Sequence, residues 1–153
     1  MPNLYTVLEE VEQDLCKILA TAFDRATFGP LRKIYIGGIE EGTTAKSLPY
    51  AVIYLPGWTE AEDEEGSFCS ESANLNYEIY LHAAKPRGET IEKEKRRRAQ
   101  ELRSAVKAGT LRHVSLRLAT GDTYEAQDDF KVEALADSYV IRVNFRFLVE
   151  WED

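Results

Sequence analysis

Apolar residues recur every three or four positions from Leu4 onward, through Leu8, Val11, Leu15, Ile18 and Ala22. That spacing predicts an amphipathic helix of about five or six turns, with Asn3 placed as its N-cap. Gly29-Pro30 stops anything that survives Phe28. Two short runs follow, "LRKIYIG" at 31–37 and "PYAVIYL" at 49–55. Both read as strands, and the second, apolar on both faces, belongs inside a sheet. Residues 56–68, "PGWTEAEDEEGSF", have no period and read as a long exposed loop. "SANLNYEIYLHAA" at 72–84 then sets Ala73, Leu75, Tyr77, Ile79 and Leu81 against Asn74, Asn76, Glu78, Tyr80 and His82. This period of two predicts a half-buried strand.

A second helix is predicted from near Thr90 to Gly109, with Glu92 and Glu94 at its positive end and a thin apolar stripe of Ile91, Ala99, Leu102, Ala105 and Val106. "HVSLRLATG" at 113–121 and "FKVEALADS" at 130–138 alternate again. In the closing run "SYVIRVNFRFLVEWED" every odd position from 139 to 151 is apolar, while Arg142, Asn144, Arg146 and Glu150 fall between. Helix, three strands, helix, three strands predicts one α+β domain over 1–153. Its sheet is mixed but mostly antiparallel, of about five to six strands, with two helices packed on one face.

Composition narrows the function more than the fold. The chain has 153 residues, enough for one self-sufficient core, and 44% hydrophobic residues exclude wholesale disorder. A formal charge of −8 disfavours tight binding to a phosphate backbone. Cys16 and Cys69 lack metal-ligand spacing and read as free thiols. The acidic start "MPNLYTVLEEVEQDLC" is not a signal peptide, and no run approaches the ~20 apolar residues of a membrane span, so the expectation is a protein kept inside the cell.

Candidate chemistry is sparse. His82 and His113 fall on separate strands without ligand-type neighbours, and both read as solvated polar-face histidines rather than metal ligands. Cys69 sits in acidic surroundings, which disfavour a reactive thiolate. The acidic run Glu60, Glu62, Asp63, Glu64, Glu65 lacks the ligand spacing and glycine of a calcium loop. Gly37, Gly38 and Gly57 make no phosphate-cradling pattern. The basic run Lys93, Lys95, Arg96, Arg97 and Arg98 spreads around a helix rather than forming a stripe, with Glu92, Glu94 and Glu101 as intrahelical partners; it reads as a solvated or subunit-contacting face. No catalytic residue, metal or cofactor is expected.

The leading helix, "LPYAVIYLPGWTEAEDEEG", "LNYEIYLHAA", a mid-chain helix and the close "DDFKVEALADSYVIRVNFRFLVEW" resemble, over nearly the whole chain, the tail-terminator proteins of long-tailed bacteriophages. The Pro-led strand running into an acidic loop matches that family, as does the turn Ala136-Asp137-Ser138-Tyr139-Val140-Ile141 before the last strand. The resemblance implies a virion protein without catalysis. Its subunits would form a homo-hexameric ring at the head-proximal end of the tail, assembled in the host cytoplasm. The ring would dock on the major tail-tube protein, end its polymerisation, present a surface to the head connector, and let DNA pass through its lumen without specific binding. The subunit or tail-tube contacts assigned on this basis are Glu60, Glu62, Asp63, Glu64, Glu65, Arg96, Arg97, Arg98, Arg142 and Arg146. The longer stretch 110–130 and the basic run depart from the family and point to the alternative, another head–tail joining or tail-completion protein. A small-molecule-binding α+β domain is the third reading.

Overall fold

A computed structural model describes residues 3–23, 30–40, 43, 48–60, 70–84, 90–124, 130 and 138–152. Its elements are α1 (Leu4–Ala22), β1 (Lys33–Ile36), β2 (Tyr50–Glu60), β3 (Ser70–Ala84), α2 (Ile91–Ala108), β4 (Val114–Thr123) and β5 (Ser138–Glu152). The five strands form one sheet in the order β1-β2-β3-β5-β4. β1 pairs parallel to β2, and the other three pairings are antiparallel, which gives the mixed, mostly antiparallel α+β fold expected.

α1 begins where the sequence places it. Asn3 is extended, and its Oδ1 accepts the N–H of Thr6 at 3.0 Å, satisfying one of the orphan donors of the first turn. Val7, Val11, Leu15 and Leu19, one turn apart, are fully buried. α2 starts after Thr90 and ends at Gly109, whose N–H bonds the carbonyl of Ala105 at 2.9 Å. Arg117 of β4 donates to the terminal carbonyls of Val106 at 2.8 Å and Gly109 at 2.6 Å, so a cation closes the negative end of α2.

β3 and β5 pair through fifteen consecutive residues, from Ser70 opposite Glu152 to Ala84 opposite Ser138, without a register shift. Because paired residues share a face, the odd positions of both strands form one apolar surface. That surface joins Val7, Val11, Leu15 and Leu19 of α1 and Ala99, Leu102 and Val106 of α2 in the main core. Tyr77 donates from it to Glu12 of α1 at 3.2 Å, and Tyr139 to Glu94 of α2 at 3.4 Å. Truncating any of its fully buried leucines removes packing worth about 2–5 kcal/mol.

The opposite face is not uniformly polar. Tyr35, Tyr50, Val52, Tyr80 and Phe130 form a second, smaller core there, with the Tyr50 hydroxyl donating to the carbonyl of Phe130 at 2.9 Å.

Two expectations change. Residues 56–60 belong to β2, not to a loop: a bulge between Tyr54 and Gly57 accommodates Pro56, and pairing resumes from Gly57 opposite Asn76 to Glu60 opposite Ala73. The pattern there is irregular because the bulge shifts the alternation by one residue. The strand expected over 130–138 lies, apart from Phe130 and Ser138, outside the described residues, as does the rest of the loop expected to follow Glu60.

Candidate functional site

The second face of the sheet divides into two halves. Near the start of β5 it is closed by the tyrosines and Phe130. Beyond Arg142 no second cluster of buried side chains covers it among the described residues. β4 pairs Leu116 with Leu148 and Leu118 with Arg146, which puts these leucines on this face, 50% and 40% exposed. Asn76 of β3 lies on the other side of Arg146.

The two arginines assigned as contacts on this face differ in state. Arg142 is part of an internal network: its Nη1 lies 3.6 Å from Glu78, directly across one strand pairing from Asn144, and Glu78 accepts the hydroxyl of Tyr80 at 2.9 Å. Burial, with a smaller push from Glu78, moves the Tyr80 hydroxyl up to about 12 against the lowering pull of Arg142. Arg146 is exposed and makes no hydrogen bond or ion pair among the described residues. Four residues apart on one strand, one arginine is structural and the other is available.

The basic run of α2 is likewise mostly internal. Arg98 is 2% exposed and bonds Glu94 and Glu101, each at 2.8 Å. Arg97 pairs with Glu94, and Lys95 lies 3.6 Å from Glu92. These are the i,i+3 and i,i+4 partners the sequence offers. Arg98 therefore works inside the subunit, while Arg96 is exposed. Burial of Tyr139, with Glu94 beside it, raises that hydroxyl well above its ordinary value, despite the opposing influence of Arg98. Of the acidic residues, Glu60 ends β2 at the sheet margin. Glu62, Asp63, Glu64, Glu65 and Cys69 lie outside the described residues.

His82 is not solvated as expected. It is 3% exposed, and its ring stacks on Tyr50 with centroids 4.3 Å apart, because Tyr50 and the second core cover this end of the face. His113 is half-buried, with Nε2 2.8 Å from Glu10, and adopts a left-handed backbone at φ 67° while its carbonyl accepts the N–H of Glu150 at 2.9 Å. Among the described residues no three His, Cys, Asp or Glu side chains converge on a metal-sized site. Among the described residues no helix is long and apolar enough to cross a membrane.

The arrangement supplies surface chemistry: an exposed cation, two exposed leucines and an amide on one sheet face. Leu116 and Leu118 do not stand out in sequence, where "SLRL" is ordinary alternation; a leucine pair on a strand whose opposite face already holds the helix contacts is the signal available. The edges of the sheet also differ. β1 pairs with β2 only from Tyr50 to Ile53, leaving an outer margin that carries Pro56 and a bulge. At the other edge β4 contains neither proline nor lysine, but bulges interrupt it between Val114 and Leu116 and between Ala119 and Gly121. No protein-family model matches the chain, and no curated protein matches it.

Proposed function

We propose that this chain is the subunit of a ring that caps a phage tail tube, ends its polymerisation and offers a surface for head attachment. The half of the second sheet face beyond Arg142 carries the reading. Leu116 and Leu118, half-exposed, lie beside Arg146, which makes no ion pair among the described residues, and arginine is enriched at protein interfaces. The order of elements resembles that of tail terminators, which adds a family-level expectation. The net charge of −8 is compatible with a lumen through which DNA slides without being gripped. In this reading the ring is a homo-hexamer, with the major tail-tube protein on one side and the head connector on the other.

The test is tail capping. Purified chain added to polymerising tail-tube protein should yield tubes ending in a ring by electron microscopy, and Arg146→Glu should abolish the ring while leaving the fold intact. Tubes that grow unchecked in the presence of the folded wild-type chain would overturn the reading. A ring found at the head connector instead would identify another head–tail joining protein.

A further inference from the structure

Between α2 and β4 lies a groove of about 510 Å³ on the helix side of the open sheet edge. Gln100, Arg103, Ser104 and Lys107 of α2 line it, with Arg117 of β4 and Phe145 of β5. Arg103 is held by Asp122 at 3.0 Å and Gln100 at 3.0 Å. Lys107 is exposed and has no ion pair among the described residues. Arg117 bonds the carbonyls that end α2, and no carboxylate faces it among the described residues. Two cations thus stand without a compensating carboxylate in a subunit of charge −8. The basic run at 95–98, by contrast, is largely neutralised by its own helix.

The groove runs beside the open edge of the sheet. β4 ends the sheet; bulges interrupt it between Val114 and Leu116 and between Ala119 and Gly121, and the stretch Leu116–Ala119 between them is regular and free of proline and lysine. An extended segment laid along such an edge gains main-chain hydrogen bonds, and its side chains select the neighbouring pockets. The pocket chemistry here calls for carboxylates.

We infer that the α2/β4 groove receives the acidic segment 61–65, Ala61-Glu62-Asp63-Glu64-Glu65, of a second copy of this chain. This rests on the ring reading above and names its head-to-tail contact. A ring needs two different, complementary patches on each subunit. The acidic segment supplies one, and Lys107 and Arg117 supply the other in place of the neutralised start of α2.

The experiment uses three full-length chains: wild type, Lys107→Glu and the double variant Glu62→Lys/Glu64→Lys. Each is followed by light scattering over a concentration series, alone and with tail tubes. Both variants should need at least about tenfold higher concentration to assemble, the effect of one lost charge contact. Their equimolar mixture should regain assembly, because each then offers the patch the other needs. Rescue by mixing is not expected from a merely destabilised fold. If both variants assemble like wild type, the groove contact is overturned while the ring reading stands. If wild type itself stays monomeric under every condition, the ring reading fails and this contact with it. If each variant is defective and mixing does not restore assembly, the pairing of these two patches is overturned.

Discussion

Asp14 of α1 accepts three hydrogen bonds from Arg112, a residue 98 positions later: one from its backbone N–H at 2.9 Å and two from its guanidinium at 3.1 Å. A single carboxylate thereby ties the first helix to the turn that follows the second. Burial alone would raise the Asp14 carboxyl, but the bonds and charge of Arg112 outweigh it and hold the carboxyl below its usual range. Asp14→Ala should cost about 1–3 kcal/mol in urea unfolding, the penalty of leaving bonded groups without an acceptor. The folded state binds this proton less readily than the unfolded chain. Its contribution is therefore complete above the ordinary aspartate range near about pH 4 and fades as pH falls through the lower folded value. Asp14→Asn should flatten the acid side of the stability profile, and an unchanged profile would refute the assignment.

Arg98 and Glu94 give a second test. Removing one partner of a buried ion pair costs about 3–5 kcal/mol, whereas replacing both by apolar groups costs much less. Arg98→Met should therefore lower the melting temperature far more than Arg96→Glu, which lies on the exposed side of the same run and should stay within about 0.5 kcal/mol of wild type. Combining Glu94→Leu with Arg98→Met should recover part of the loss. Equal effects at 96 and 98 would mean that Arg98 is not buried in solution.

Arg142 and Arg146 should separate stability from assembly. Arg142→Glu sets a second negative charge beside Glu78 and should cost about 1–3 kcal/mol in unfolding free energy. Arg146→Glu should leave unfolding within about 0.5 kcal/mol of wild type, yet block tail capping. The comparison reads thermal unfolding and capping on the same preparations.

Gly109 is required by packing rather than by its backbone angle. A Cβ there would lie 2.5 Å from Cγ1 of Ile18 and 3.1 Å from the Ala105 carbonyl oxygen, where α1 and the end of α2 approach closely. Gly109→Ala should destabilise by about 1–3 kcal/mol. Ile18→Ala in the same chain should relieve part of that, a non-additivity that a double-mutant cycle measures.

The sequence states some of this directly and withholds the rest for identifiable reasons. α1 and β5 are legible because their periods of 3.6 and 2 run unbroken for 19 and 15 residues. Glu94, Arg98 and Glu101 stand at the spacings of intrahelical pairs, so their pairing is visible in advance. Their burial is not, because it depends on where Tyr139 and the sheet come to lie. His82 marks the same boundary: alternation tells that it shares a face with Tyr80, not that this face is covered by Tyr50 and Phe130. β2 hides its last residues because one bulge moves the alternation out of phase. The separation of Arg142 from Arg146 depends on Glu78, which lies across a strand pairing that no local window contains.

The uninterrupted pairing of β3 with β5 bears on mechanics. Fifteen residues at about 3.4 Å each make a double-stranded beam about 50 Å long. It contains none of the bulges that interrupt its neighbours β2 and β4. Helices brace one side of it and aromatic rings grip one end of the other. A load applied at the Ser70–Glu152 end meets no break in pairing before Ala84 and Ser138, so the pair is built to carry it along its whole length.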